Sequence, residues 1–147
     1  MKNQRSKKPA VKPGEGVLDA FVPVAFTTMA VLNKIGAEND LSLTLMRVLG
    51  ILWDRRPRMA ELADYLGLEK QTMSGLIARA EKRGLVARAP NVHDGRATDV
   101  FLTEEGEALF LRLHEQMQQA LAPLTERLDA AERRQLQQLL ERMLPAG

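Results

Sequence analysis

Residues 70–83 carry side chains suited to binding a nucleic acid rather than to catalysis. Met73, Leu76, Ile77 and Ala80 recur at helical spacing and predict a buried stripe. The opposite side holds hydroxyl, amide and basic groups, which donate hydrogen bonds to base edges and phosphates. A helix that merely faced solvent would carry more Glu and Lys and bulkier side chains. The residues predicted to face DNA are Lys70, Gln71, Thr72, Ser74, Gly75, Arg79 and Lys82.

Two residues of this predicted face each allow a second interpretation. Gly75 inside a helix costs about 1 kcal/mol relative to alanine, so it needs a reason. Close approach to DNA is one reason and tight packing is another. Arg79 is equally compatible with a DNA contact and with an internal salt bridge.

A second group of charged residues lies in a predicted hairpin. Residues 85–88 and 98–102 are strand-like, and the turn-forming residues 90–96 separate them. The guanidinium of Arg96 suits the negative potential of a narrow minor groove, and the Asp94 carboxylate could fix its rotamer. The other interpretation is a purely structural Asp–Arg pair.

Helices must position these two groups. We expect a first helix from just before Pro23 to near Gly36 and a second helix capped by Ser42. The second helix should bury Leu45, Val48, Leu49 and Leu52, and residues 55–58 form a basic loop after it. A short third helix with an inner face of Leu62, Ala63 and Leu66 should end at Gly67, and the helix of residues 70–83 should end at Gly84.

Two further helices should follow the hairpin. Thr103 is the predicted N-cap of the first, and Pro123 should kink or end it. Asp129 and Glu132 have the spacing of a capping box for the last helix. The apolar residues predicted for its inner side are Leu136, Leu139, Leu140 and Met143. The sequence therefore predicts a mostly α-helical fold with a small β-hairpin wing.

The composition argues against several functional classes. The chain has no cysteine, so it has no disulfide, thiolate zinc site or cysteine redox sensor. Ser74 has no predictable His and Asp neighbours, because His93 and His114 fall on different elements. No phosphate-binding glycine loop or metal-spaced cluster is present, so we expect no enzyme, metal or cofactor. Aromatic residues make up 4% of the chain, too few for a platform that stacks single-stranded bases.

The sequence predicts a cytoplasmic protein. It contains no run of about 18 apolar residues, so we expect no transmembrane helix and no membrane partner. The basic N-terminus is not followed directly by an apolar segment, so we expect no secretion signal.

The charges suggest three regions. Residues 1–16 hold five basic residues and one acidic residue, and we interpret them as a disordered basic arm. Residues 54–102 hold nine basic and seven acidic residues, whereas residues 103–147 hold five and eight. We therefore expect a DNA-binding lobe at 54–102 and a helical dimerisation region built from 17–53 and 103–147.

The chain resembles the MarR family of winged-helix transcriptional regulators from about residue 17 to residue 144. Five motifs in order carry the resemblance. They are Glu61-Leu-Ala63, Gln71-Thr-Met-Ser-Gly-Leu-Ile77, Glu81-Lys-Arg-Gly-Leu-Val-Ala-Arg88, Asp94-Gly-Arg96 and Leu102-Thr-Glu-Glu-Gly106. The sequence departs from the family at Gly75, where many relatives have a larger residue, and at Glu69, where a better capping residue often stands.

The resemblance implies a homodimer whose first and last helices intertwine. Residues 70–83 would enter the major groove, and the wing would reach the minor groove. By position, Gln71, Thr72, Ser74 and Arg79 match contact residues of the recognition helix, and Asp94 and Arg96 match the wing tip. Family members typically repress genes and release DNA when a small aromatic or phenolic ligand binds.

We therefore expect a dimeric regulator, most simply a repressor, on a pseudo-palindromic operator with half-sites about 10 bp apart. A ligand pocket would lie between the dimer helices and the winged lobe, although plain core or surface is the simpler interpretation of each candidate residue. The candidates are Phe26, Met46, Arg47, Trp53, Phe110 and His114. The alternatives are a constitutive repressor without an inducer and an architectural DNA-binding protein.

Overall fold

The computed structural model describes residues 11–145 of the 147-residue chain and contains six helices and one hairpin in that range. Most of the predicted basic arm, residues 1–10, lies outside the described residues. The fold class predicted from the sequence is confirmed. The elements are α1 (Val17–Glu38), α2 (Leu43–Leu52), α3 (Met59–Leu66), α4 (Lys70–Lys82), β1 (Val86–Pro90), β2 (Thr98–Leu102), α5 (Glu104–Thr125) and α6 (Ala130–Met143).

These elements belong to two compact units. One unit contains residues 32–120, and the other contains residues 11–31 and 121–145 of those described. Helices α1 and α5 each contribute to both units. The predicted division into a lobe at 54–102 and a flanking dimerisation region stays a prediction, because compactness within one chain does not reveal what a second chain would contact.

The 32–120 unit has an apolar core to which every one of its elements contributes. Helix α2 buries the face predicted for it, and Val48 and Leu49 are fully buried. Other elements bury large side chains beside it because their apolar residues recur at the period of the element. The largest of these side chains are Leu62, Met73, Ile77, Leu113, Val86 and Val100.

Side-chain caps fix where the helices begin, as predicted. The Ser42 hydroxyl accepts the backbone N–H of Leu45 at 3.1 Å, and the Thr103 hydroxyl accepts that of Gly106 at 3.0 Å. Asp129 and Glu132 form both hydrogen bonds of a capping box. Each cap satisfies an N–H group that the first helical turn leaves unpaired.

Helix α1 begins earlier than the sequence predicted. It starts at Val17, so that Pro23 lies inside it. The Asp19 carboxylate accepts the Gly16 N–H at 3.1 Å, which stabilises the helix start. Hydrogen bonds from the backbone N–H groups of Gly14 and Gly16 also lower the pKa of Asp19. Pro23 has no N–H group, so the carbonyl four residues earlier in α1 lacks its helical partner. This part of α1 is exposed, so water can reach that carbonyl.

The expectation that no helix could cross a membrane needs correction. Among residues 11–145, α1 is the one helix that is long and apolar enough to do so by length and composition alone, with a mean hydropathy of 1.4. Thr27, Thr28 and Asn33 interrupt the apolar run, but the charged residues of α1 lie near its ends, so the average hydropathy stays high. Apolar helices that pair with another protein helix satisfy the same criterion.

Large apolar side chains of α1 and α6 remain exposed within the single chain. In α1 these include Leu18 at 71% and Phe26 at 69% exposure, and in α6 Met143 at 60%. Helix α6 has no buried residue, although it carries the predicted apolar stripe. The other exposed members are Val17, Phe21, Val22, Val24, Met29, Leu136, Leu139 and Leu140.

The hairpin pairs β1 with β2 in antiparallel register from Val86↔Leu102 to Pro90↔Thr98. Strand β1 runs two residues further than predicted, and its last residue is a proline, which needs no N–H partner there. The loop before α3 lies along the other edge of β2. The Val100 N–H donates to the Pro57 carbonyl at 2.9 Å, and Arg58 forms an isolated bridge with Asp99.

Gly106 supports a test of this packing. A Cβ atom at Gly106 would overlap the carbonyl oxygen of Leu85, whereas one at Gly50 would meet only a Phe110 ring atom at 3.7 Å. We expect Gly106→Ala to lower the free energy of unfolding by about 2–4 kcal/mol, because backbone must move. Gly50→Ala should be neutral or should stabilise by up to about 1 kcal/mol. Urea unfolding followed by circular dichroism measures both, and equal stability of the two variants would contradict the packing.

Candidate nucleic-acid interface

Helix α4 presents the face that the sequence predicted. Met73, Ile77 and Ala80 are fully buried, and Leu76 is half-buried. This stripe fixes the rotation of the helix, because turning it would expose three apolar side chains. The opposite side faces solvent, and its exposed members are Lys70, Gln71, Thr72, Ser74, Ala78, Arg79 and Lys82.

The start of α4 lacks the usual side-chain cap. Glu69 is the N-cap residue, and its side chain makes no capping hydrogen bond. No acidic residue lies in the first turn, and Glu69 has no salt bridge within residues 11–145. Uncapped N–H groups and the helix dipole favour an anion at this end, whereas the Glu69 charge opposes one.

The space around Gly75 decides between its two interpretations. A Cβ atom there would meet only the Arg79 guanidinium, at 3.5 Å, which is an ordinary contact with a flexible group. Tight packing therefore does not explain the glycine. Close approach of another molecule is the interpretation that remains, because the glycine leaves the helix surface low at this point.

Arg79 forms no ion pair with any residue between 11 and 145, so the internal salt bridge is not observed. It lies with Lys82 in the last turn of α4, where the helix dipole favours cations. That stabilisation is weak at an exposed site, and it leaves both charges available to a phosphate.

Side-chain to backbone hydrogen bonds close the wing tip. The Asn91 side-chain oxygen accepts the N–H groups of His93 at 2.9 Å and Asp94 at 3.0 Å. The Asp94 carboxylate accepts the backbone N–H of Arg96 at 3.1 Å. Asp94 therefore fixes the turn that carries Arg96, whereas the sequence suggested that it would fix the Arg96 guanidinium. The Arg96 side chain is exposed.

A buried acidic residue lies at the base of the wing. Asp99 is 6% exposed and is the one buried charged residue within the described range. It accepts a hydrogen bond from the Asn91 amide at 2.9 Å and lies 3.8 Å from the Arg56 Nε. The Arg56 guanidinium also stacks 3.9 Å above the Phe101 ring. Sequence reasoning missed Asn91 and Asp99, although asparagine at the start of a turn is a recognised signal.

Several other cations near this surface have partners. Arg88 pairs with Glu81 at 3.0 Å, and Arg58 lies 3.8 Å from Glu61. Arg83 donates to the Asp40 carbonyl at 2.7 Å. Exposed ion pairs contribute about 0–1 kcal/mol each, so a phosphate could replace those of the basic loop at little cost.

The residues predicted to line a ligand pocket separate into groups. Trp53 and Phe110 stack with ring centroids 4.9 Å apart, and His114 lies 6.0 Å from the Phe110 ring. The Arg47 guanidinium lies over Tyr65 at 5.4 Å, and Met46 is buried. Phe26 belongs to the other unit. A cavity of about 440 Å³ in the 32–120 unit is lined by none of the six; its walls are Asn39, Arg83, Leu85, Glu105, Ala108, Leu109 and Arg112.

Comparisons of the chain with known sequences and structures find similar proteins in one family. The family model described as MarR family matches residues 39–97. The chain is 29% identical over 130 residues to the homoprotocatechuate degradative operon repressor of Escherichia coli, covering 87% of each chain. The apo crystal structure of wild-type MarR from E. coli is similar, with a TM-score of 0.72, 26% identity and coverage of 88% of this chain and 97% of that one.

A solved structure of the same fold contains a ligand. The crystal structure of NadR in complex with 4-hydroxyphenylacetate has a TM-score of 0.75 at 20% identity, and the match covers 95% of this chain and 100% of that chain. At this identity the likeness shows the fold alone.

Proposed function

We propose that this chain, which belongs to the MarR family of winged helix-turn-helix transcriptional regulators, is a homodimeric repressor that a small molecule releases from a pseudo-palindromic operator. The observation that carries the proposal is the exposed face of α4, whose side chains are small, polar or basic. The E. coli protein to which this chain is 29% identical is named as a repressor. We also propose that the protein is cytoplasmic and is not an enzyme.

The geometry of α4 suits a major groove. Its 13 residues span about 20 Å at about 1.5 Å per residue, and the groove is about 12 Å wide. Gln71, Thr72 and Ser74 near its N-terminus would contact base edges, while Lys70, Arg79 and Lys82 would contact phosphates. The absence of a side chain at Gly75 would let the helix lie closer to the bases.

The wing would place Arg96 in the adjacent minor groove, where a guanidinium is attracted by the negative potential. Asp94 would act indirectly, because its carboxylate holds the backbone of the Arg96 turn. The lobe of residues 54–102 would thus touch DNA at two places.

The exposed apolar residues of α1 and α6 support a dimer. A helix such as α6, with no buried residue and an apolar stripe, needs a partner to be stable in water. A second copy of the chain would supply the same stripes in a two-fold arrangement. Residues 17–53 and 103–147 would form the dimerisation region, and burial in the dimer would account for the apolar character of α1.

The ligand part of the proposal has its support in the stacked aromatic residues Trp53 and Phe110. Flat aromatic side chains with His114 nearby suit an aromatic ligand, and a carboxylate on that ligand could accept a hydrogen bond from His114. The ligand of NadR, 4-hydroxyphenylacetate, belongs to this chemical class. The alternative is a constitutive or architectural DNA-binding protein without an inducer.

The dimer can be tested on α6. We expect the chain to sediment as a dimer and to bind a palindrome far more tightly than a half-site, because two lobes bind one DNA. Leu140→Glu puts a charge into the apolar stripe and should yield monomers that lose this preference. Gln138→Glu, on the other side of α6, is the matched control and should remain dimeric. Sedimentation equilibrium and fluorescence anisotropy measure both properties. A parent monomer that binds half-site and palindrome equally would refute the dimer.

The wing can be tested by salt titration. Arg96→Ala should weaken operator binding by about 1–3 kcal/mol and reduce the slope of log K against log salt by about one per contact. Arg142→Ala removes an exposed arginine at the end of α6 and should leave both quantities unchanged. Binding measured by anisotropy at several salt concentrations gives both. An unchanged slope for Arg96→Ala would exclude the wing from DNA contact.

The ligand can be followed through the fluorescence of Trp53, the single tryptophan. Titration with 4-hydroxyphenylacetate, benzoate and phenol should change the Trp53 emission and lower the affinity for DNA. Phe110→Leu should abolish the fluorescence response while leaving DNA binding in the absence of ligand intact. If no aromatic acid or phenol alters the affinity for DNA, the constitutive alternative is favoured.

A further inference from the structure

We propose that Asn91 and Asp99 are positioning residues that hold the wing tip in the conformation required for Arg96 to enter the minor groove. The inference rests on the proposed DNA contact of Arg96 and adds two residues that do not themselves touch DNA. Asn91 is half-buried and Asp99 is buried, so both lie beneath the surface that carries Arg96.

The Asn91 side chain joins the wing tip to the wing base. Its oxygen accepts the N–H groups of His93 and Asp94, and its amide nitrogen donates to the Asp99 carboxylate. The opposite amide orientation would bring the NH₂ group against two N–H donors and the oxygen against a carboxylate. All three hydrogen bonds therefore exist only in this orientation. They join the tip to the wing base, and backbone hydrogen bonds from Asn91 to Ala97 and from Ala97 to Asp94 close the tip beside them.

Asp99 is in turn held by the loop before α3. Arg56 Nε lies 3.8 Å from its carboxylate, and the same guanidinium lies over Phe101. The backbone of this loop pairs with β2 at Asp99, through the Arg58–Asp99 bridge and the hydrogen bond from the Val100 N–H to the Pro57 carbonyl. A series of contacts thus runs from Arg56 through Asp99 and Asn91 to the Asp94 turn and Arg96.

The stability of the hairpin does not require this polar network. Val86, Val100 and Leu102 are buried and attach the strands to the core through apolar contacts. A buried charge is a poor source of stability, since its desolvation offsets much of what its partners contribute. An apolar residue at position 99 would serve packing better, but it could not accept the hydrogen bond that orients Asn91.

A double-mutant cycle tests the proposal on DNA. Asn91→Ala should weaken operator binding about three- to tenfold, no more than Arg96→Ala does, and should cause no further loss when Arg96 is already alanine. A structural role unrelated to Arg96 would give the same loss in both backgrounds, and that result would overturn the proposal. If Arg96→Ala itself has no effect on binding by the parent protein, the proposed wing contact fails instead.

A second measurement needs no DNA. Hydrogen exchange of the His93 and Asp94 amides should speed up at least several-fold in Asn91→Ala, because their acceptor is lost. Val92→Ala alters the exposed side chain just before His93 and should leave both rates unchanged. Slow exchange retained in Asn91→Ala would overturn the positioning role whatever the DNA result.

Exchanging the two side chains tests the direction of the hydrogen bond. Asn91→Asp alone places two carboxylates in contact, so it should impair DNA binding more than Asn91→Ala. Adding Asp99→Asn should recover part of the affinity, because an amide at position 99 can donate to a carboxylate at position 91. Recovery will be incomplete because Arg56 loses its anionic partner. A double variant no better than Asn91→Asp would count against the network.

Discussion

The close approach of Gly106 to the Leu85 backbone is the constraint on which the placement of the DNA-binding elements depends. At this point the end of α4, the start of β1 and the start of α5 meet without room for a single methyl group. The Thr103 hydroxyl donates to the Gly84 carbonyl at 2.5 Å, and the Thr103 N–H donates to the Leu85 carbonyl at 3.2 Å. Because one junction holds all three elements, α4 and the wing cannot move independently of each other.

The two parts of the interface obtain their order by different means. Apolar burial orients α4, since Met73, Ile77 and Ala80 are fully buried and leave one face outward. The wing tip is too short and too exposed for that, so hydrogen bonds that the Asn91 and Asp94 side chains accept from backbone N–H groups define it. Many side chains contribute to apolar packing, so one substitution removes only part of the packing energy. Few polar contacts hold the wing tip, so the loss of one weakens the others. The wing is therefore the more sensitive part of the surface.

Features set by local sequence were predictable. The caps at Ser42, Thr103 and Asp129 and the buried stripe of α4 depend on residues within one or two turns, and all are observed. The predicted start of α1 was wrong, because Pro23 suggested a helix boundary. The helix begins at Val17, six residues before Pro23, where the Asp19 carboxylate accepts the Gly16 N–H. The fold class and the outward face of α4 followed from periodicity alone.

Non-local contacts were not predictable in the same way. The Asn91–Asp99 bond spans eight residues, and the Arg56–Asp99 pair depends on how the loop before α3 lies along β2. No spacing rule reports such a meeting. The candidate ligand residues show the same limit, since Arg47 turned out to lie over Tyr65, a pairing that periodicity does not reveal.

The exposed stripes of α1 and α6 have a consequence for the proposed repressor. The net charge of the chain is only +2, so long-range attraction to DNA is modest and selectivity has to come from close contacts. One lobe supplies few such contacts. In a dimer, the second lobe binds at the effective concentration set by the first, which multiplies the preference for a correctly spaced palindrome. A ligand that changed the distance between the two α4 helices would then be enough to release DNA. Loss of contact with one half-site removes the gain in affinity that the second lobe provides.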